Sequence, residues 1–247
     1  VKLLFLTILA LAFAAPARAF DHGHAAWTRI LAARVKGNTF DYAGLKPQRA
    51  PLDAYLSQLA AVPAAEFKGW NEKQRLAFLI NLYNAATIRL VLDHQPVKSI
   101  KDIGGAKGPW KQPVVKALGK THTLDEVEHQ LIRGNFAEPR IHFAVNCASV
   151  GCPPLAATAY TADQLDRQLD AATRRFLADR SQNRVDAKRN ELLLSPLFDW
   201  FRDDFAKKSG SPEKFVAPYF PATERDLIAS GRLKTRHGEY DWKLNGR

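Results

Sequence analysis

The sequence predicts an α+β fold: a predominantly helical single domain with a small antiparallel sheet built from hairpins. Three observations lead there. Segments with apolar residues at helical spacing outnumber strand-like segments. The strand-like segments come in pairs around tight turns and do not alternate with helices, so no βαβ unit is legible. No Gly/Ser/Pro-rich linker divides the 247 residues, and a chain of this length buries a core without disulfide or metal staples.

Residues 1–19, "VKLLFLTILALAFAAPARA", carry one early charge, Lys2, then an apolar run from Leu3 to Ala15 and an Ala17-Arg18-Ala19 processing pattern. This reads as a signal peptide cleaved after Ala19 and too short to span a bilayer. Residues 20–247 are then an exported domain, periplasmic or secreted, with no later transmembrane segment. A first helix is expected over His24 to Val35, through Trp27, Ile30, Leu31 and Val35. A second is expected over Pro51 to Val62, through Leu52, Tyr55, Leu56 and Leu59. The segment from Asn71 to just before Pro96 is apolar almost all round in its middle, which marks a central helix.

Val114-Val115 and His122 to Leu124 flank a Leu118-Gly119-Lys120 turn and predict a hairpin. Thr123 and Glu126 form a capping box that opens a helix to Arg133, stopped by Gly134. Arg140 to Cys147 is expected as a short strand. Thr161 and Gln164 form a second capping box before a helix to about Asp179. "NRVDAKRNELLLSP" predicts a second hairpin turning at Lys188 to Asn190. "PLFDWFRDDFAKKSG" is a helix closed by Gly210, and Pro212 to Tyr219 and Thr223 to Ala229 are two short helices. "GEYDWKLN" is expected as a closing strand.

The formal charge is +11, but the basic residues are dispersed. A solvated basic surface meets anionic lipid, peptidoglycan or other polyanions nonspecifically. A nucleic-acid interface would interleave aromatics with a basic stripe, and no such stripe is present. The expected partner is a small-molecule, peptide or cell-envelope ligand. No glycine-rich phosphate loop, H-E-x-x-H or G-x-S-x-G motif occurs, and no cofactor is predicted. Asp199, Asp203 and Asp204 read as an exposed helix face, without the paired carboxylates of a glycosidase. Trp70, Trp110, Trp200 and Trp242 read as core and rim, with a carbohydrate platform as the alternative.

The stretch "HFAVNCASVGCPPL", His142 to Leu155, holds both cysteines. Four readings stay open: a Cys147–Cys152 disulfide suited to an oxidising compartment, a catalytic Cys147, a metal site using both thiolates with His142 or His129, and an inert buried thiol. On a straight strand Phe143, Val145 and Cys147 share one face while His142 points to the other. A direct Cys147–His142 pair therefore needs a turn near Asn146. His129 is the other candidate base. Glu128 precedes it on a helix, where neighbours diverge by about 100°, so one of the two faces the cleft. Asn81 and Asn84 lie three apart on an apolar helix and must find partners there. Their amides either hold a neighbouring loop's backbone or donate to a substrate oxygen. The two thiols are expected to differ. Cys147 sits beside the N–H groups of a tight loop, whereas Cys152 precedes the rigid Pro153 and suits a tether or resolving thiol.

Four motifs, "FLINLYNAATIRLV", "TLDEVEHQLIR", "IHFAVNCASVGCPPL" and "YDWKLN", resemble in content and order the family of domain of unknown function 547. The resemblance marks Asn81, Asn84, Glu128, His129, His142, Cys147, Cys152 and Pro153 as motif positions. It implies that plant members often carry serine where Cys152 stands, which leaves Cys147 as the thiol of interest. It also carries a likeness to papain-type or transglutaminase-type folds. Those run Cys, His, Asp along the chain, whereas here His142 precedes Cys147 and His237 lies outside the motifs. The family name supplies no reaction. Two functional readings follow: a thiol-dependent hydrolase or acyltransferase with Cys147 as nucleophile and His142 or His129 as base, oriented by Glu128 or an asparagine, and a non-catalytic binding or scaffold domain whose disulfide shapes a recognition loop.

Overall fold

The most apolar helix organises the rest of the molecule. In the computed structural model, which describes residues 19–246, helix α5 (Glu72–His94) opens on a reciprocal capping box between Asn71 and Gln74. Gln95-Pro96 ends it, because the residue before a proline is steered out of helical geometry. By length and composition α5 could cross a membrane, but 89% of its apolar window is buried inside the protein. The expected signal segment up to Arg18 lies outside the described residues.

On α5 pack α2 (Tyr42–Leu45) and α3 (Ala50–Ala60), with α1 (Ala25–Arg34) laid on α3 and α4 (Ala64–Gly69) reaching α5 through Phe67 and Phe78. Strands β1 (Val35–Lys36) and β2 (Thr39–Phe40) make a short hairpin that periodicity does not reveal. Strands β3 (Val115–Ala117) and β4 (Lys120–His122) form the first expected hairpin. Its two-residue turn puts Leu118 at φ 53 and Gly119 at φ 76, the paired positive values of a type I′ turn. Helix α6 (Leu165–Leu177) follows, then β5 (Arg184–Asp186) and β6 (Glu191–Leu194), the second expected hairpin. The predicted helix over 196–210 is two helices, α7 (Leu197–Trp200) and α8 (Arg202–Ser209), broken at Phe201. Then come α9 (Pro212–Val216), α10 (Ala222–Ala229) and β7 (Lys234–His237). The fold is α+β and predominantly helical, with sheets of two and three strands.

Three expectations are corrected. The closing strand is not "GEYDWKLN" but β7, which pairs parallel to β6 and makes that sheet mixed. The last residues instead run extended and touch three separate segments through single bridges, Phe40 to Gly246, Ser99 to Lys243 and Ser149 to Leu244. The Thr161–Gln164 box does not form, because the Gln168 side chain receives the Thr161 N–H and donates to Ala159 O. Arg140 to Cys147 is not a strand: Pro139–Phe143 is a 3-10 helix, opened by the Glu138 carboxylate accepting from Arg140 N.

The buried apolar residues form two clusters. One surrounds α5. The other is rich in phenylalanine, with Phe143, Phe176, Phe198, Phe205 and Phe215. The 3-10 helix carrying His142 runs where they meet.

Candidate functional site

Loss of the strand re-aims the histidine. On the 3-10 turn His142 packs between the clusters, its ring stacked on Phe201 at 3.8 Å, and its side chain is fully shielded. Nε2 lies 2.8 Å from Asp204 Oδ2. A carboxylate accepts only, so Nε2 carries the proton and donates, which leaves Nδ1 as an unprotonated acceptor. That atom is buried and has no partner. Burial lowers the His142 pKa against the opposing pull of the Asp204 hydrogen bond, so the ring is neutral near pH 7.

The sequence predicts an exposed Asp204, and the structure overturns this. Its side chain is only 19% exposed. It accepts from both His142 and the Arg133 guanidinium, at 2.6 and 3.1 Å for Arg133. Burial acts to raise the Asp204 pKa, but these hydrogen bonds outweigh it and hold the carboxyl well below its usual range. One signal was available: Asp204 lies at i+3 from Phe201 and beside Phe205, on the inward stripe of α8.

Arg133 also separates the two histidines by role. Its Nη1 is 3.0 Å from His129 Nδ1. Since arginine only donates, Nδ1 of His129 is an occupied acceptor. His129 Nε2 faces Asp125 at 3.9 Å. Of the two candidate bases, only His142 presents a free ring lone pair. Glu128 and His129 both lie on a π-helix, Glu126–Ile132, opened by the expected Thr123–Glu126 capping box. Glu128 is buried and holds the Tyr83 hydroxyl, while His129 stays half-exposed at the rim.

Asn81 and Asn84 are clamps. Asn81 donates to Tyr160 O and accepts from Tyr160 N. Asn84 donates to Ala144 O at 2.9 Å and accepts from Asn146 N at 2.8 Å, gripping the chain on both sides of Val145. Neither amide reaches the pocket lining.

The cysteine loop is fixed from its own residues and from the chain's last ones. Asn146 donates to Pro153 O and accepts from Ala148 N and the Asn245 amide. Asn245 in turn accepts from the Tyr42 hydroxyl. Val150 N and Gly151 N donate to Lys243 O and Asp241 O. Gly151 is required by close approach, since a Cβ there would lie 3.0 Å from Asp241 N and 3.1 Å from the Tyr240 ring. Ala148 is held at φ 62, a left-handed conformation that L-residues with a Cβ seldom adopt.

Both cysteines are free thiols, so the disulfide, one of the four open readings, is not formed, although the sulfurs lie 2.7 Å apart. Cys147 Sγ also contacts the Tyr240 hydroxyl at 3.1 Å and Ser149 Oγ at 3.4 Å. Burial alone would raise the Cys147 thiol, but hydrogen bonds from Cys152, Ser149 and Tyr240 outweigh it and hold its pKa down. Burial and the neighbouring Cys147 push Cys152 up. Burial also raises the Tyr240 hydroxyl, which therefore stays protonated and donates.

These groups share one pocket, of about 190 Å³, on the seam between the clusters. Cys147, Cys152, Pro153, His142, Glu128 and His129 all line it. Its outer wall is aromatic. Trp242 stands 4.5 Å from Tyr240, 5.8 Å from Trp200 and 5.7 Å from Trp110, centroid to centroid. Trp70 lies elsewhere, stacked on Phe20. Among the described residues no group of three or more His, Cys, Asp or Glu side chains is arranged to hold a metal ion.

Residues 67–177 match the family model described as "Protein of unknown function, DUF547", so the resemblance carried by the motifs holds over that segment. The matched segment contains α5, the π-helix and the cysteine loop and ends with α6. Asp204, Tyr240, Trp242 and Asn245 lie beyond it. No curated protein and no solved structure matches the chain.

Proposed function

We propose that the protein is a cysteine-dependent hydrolase or acyltransferase in which Cys147 is the nucleophile, His142 the general base and Asp204 the group that orients the base. The observation that carries this reading is His142 Nδ1, a buried lone pair without a partner on the pocket that Cys147 lines. Leaving such an acceptor unpaired costs about 1–3 kcal/mol. An acid–base role explains why it is kept, with the Nε2–Asp204 bond fixing the tautomer that leaves Nδ1 free.

In the resting arrangement Cys147 Sγ is engaged by Cys152, Ser149 and Tyr240, and contacts of this kind tighten or exchange when substrate binds. The sulfur attacks a carbonyl carbon and forms an S–C bond, and its proton passes to His142 Nδ1. The leaving group departs with the electron pair of the broken bond and takes that proton. Water or another acceptor then attacks the thioester, loses a proton to His142, and releases the sulfur, which recovers it.

The test uses p-nitrophenyl acetate. Wild type should release a burst of nitrophenolate and carry one acetyl group on Cys147 by mass spectrometry. Cys147→Ser should abolish both, and His142→Gln should slow acylation by about 10²–10⁴. Turnover that survives Cys147→Ser would refute the assignment. The alternative, a binding domain whose Cys147–Cys152 link shapes the loop, needs a bond between two sulfurs that are neighbours at 2.7 Å but free. Thiol titration of protein isolated without reductant separates the two, since two alkylatable thiols exclude a permanent link.

We further propose export with processing at Ala19-Phe20, giving an N-terminus at Phe20 by mass spectrometry. The packing of Phe20 against Trp70 and Phe78 supports a docked start at that residue. A single unfolding unit over 20–247 is supported by the Tyr42–Asn245 hydrogen bond between distant parts of the chain, and should give one cooperative transition.

A further inference from the structure

The pocket is charged against the trend of the protein. The chain has 36 Lys and Arg against 25 Asp and Glu, yet among the described residues no Lys or Arg lines this pocket and two carboxylates, Asp125 and Glu128, do. Glu128 is buried, with the Tyr83 hydroxyl as its hydrogen-bond partner. A buried carboxylate is best accommodated opposite a cation. The aromatic lining suits the same charge: Trp110, Trp200, Tyr240 and Trp242 line the pocket, and aromatic rings attract ammonium groups. The molecule itself makes such contacts on this lining: the Lys101 ammonium lies 3.8 Å from the centre of the Trp242 ring and the Arg133 guanidinium 4.9 Å from that of Phe201. Trp200, on the same wall, is 47% exposed, which is unusual for a residue of its size. The fully shielded His142 lines the same pocket and carries a buried, unpartnered Nδ1.

We propose that this pocket recognises a primary ammonium group, such as that of a lysine-like side chain, held between the Glu128 and Asp125 carboxylates and the aromatic wall. For its chemistry the inference rests on the proposed Cys147 activity: the preferred acyl group is that of an ammonium-bearing residue, with its carbonyl at Cys147. The pocket volume of about 190 Å³ suits one side chain. Attack on a nitrophenyl ester of such a residue forms the S–C bond of a thioester and breaks the ester C–O bond. Nitrophenolate leaves with the electron pair, the thiol proton goes to His142, and water hydrolyses the thioester.

Two measurements on the full chain test this. The first compares kcat/KM for the p-nitrophenyl esters of Nα-acetyl-lysine and Nα-acetyl-norleucine, whose side chains differ by the ammonium group. The second titrates tryptophan fluorescence with the corresponding Nα-acetyl methylamides and needs no catalysis. The lysine compounds should be favoured about tenfold or more in both, and Glu128→Gln and Asp125→Asn should each reduce that ratio. Asp125, at the partly exposed rim, gives a variant that does not disturb the buried core if Glu128→Gln folds poorly. Equal or weaker binding of the lysine amide overturns the inference, and Cys147-dependent turnover of both esters at equal rates overturns it while leaving the nucleophile assignment intact. Selective lysine-amide binding with no Cys147-dependent turnover supports the ammonium pocket and removes the enzyme reading.

Discussion

Replacing Asn84 by alanine tests how the thiol loop is held. Asn84 is 2% exposed and makes two hydrogen bonds, one to Ala144 O at 2.9 Å and one from Asn146 N at 2.8 Å. Alanine leaves both backbone groups buried without a partner. Each such group costs about 1–3 kcal/mol, and two adjacent ones, which do not add fully, cost roughly 2–5 kcal/mol. Alanine's better helix propensity returns well under 1 kcal/mol, so a net loss of about 2–4 kcal/mol is expected in a urea titration followed by far-UV circular dichroism. Asn81→Ala is the control. It loses an equivalent pair of bonds, but to Tyr160, so it should cost a similar amount while leaving Cys147 alkylation unchanged. Asn84→Ala should alter that alkylation rate, because its clamp sits just ahead of the thiol. An unchanged urea midpoint for Asn84→Ala, or equal effects of both variants on Cys147, would refute the reasoning.

Three further outcomes are expected. Acid should destabilise the protein from about pH 6.5 downward. His24 is lowered to about 4 by burial and His142 is lowered by burial as well, so the unfolded chain takes up these protons first; His24 alone removes roughly 3 kcal/mol between pH 6.5 and 4. Asp204 is held low by His142 and Arg133, so its contribution persists above the usual carboxylate range and is lost only below it. Urea midpoints at pH 7, 5.5 and 4.5 read the histidine effect and one at about pH 3 reads that of Asp204, and a flat profile from pH 7 to 4.5 would contradict the buried neutral histidines. Second, Cys147 should react with iodoacetamide faster than Cys152, with an apparent pKa below about 8.5. Tyr240→Phe should raise that pKa by removing a donor at 3.1 Å, and identical pH–rate profiles for the two thiols would be the contrary result. Third, Gly151→Ala inserts a Cβ 3.0 Å from Asp241 N. It should lower stability by about 1–3 kcal/mol and shift the Cys147 profile towards that of Tyr240→Phe.

The parts of this structure that were legible in the sequence are those decided by neighbours along the chain. The Asn71 cap, the apolar girth of α5, the Thr123–Glu126 box and the turn at Leu118-Gly119 are local, and they formed. The strand expected over Arg140 to Cys147 failed because a remote side chain competed for its backbone. Asn84 bonds the groups at 144 and 146 that a strand would have paired, and Pro139 starts a 3-10 turn instead. That correction is what takes His142 out of the alternation argument and buries it against Phe201. Its partner Asp204 is 62 positions away, a distance over which composition and periodicity carry no signal. The same holds for β7, whose parallel pairing with β6 depends on the helices between them. Cys147, Glu128 and His129 were legible as residue types. Their convergence with Tyr240 and Trp242 was not, since it requires the chain's far end to fold back.

That fold-back sets a schedule for biosynthesis. Tyr42 and Asn245 bond across 203 positions, and the loop around Cys147 takes its outer partners from residues 240–245. Contacts this distant along a chain form late. A ribosome-bound nascent chain in which α5 is already helical would still lack Tyr240 beside the sulfur. Helix α5 and the Asn84 clamp can thus be in place while the Cys147 sulfur still lacks its Tyr240 contact, so the residues around the thiol are ordered in two stages rather than one.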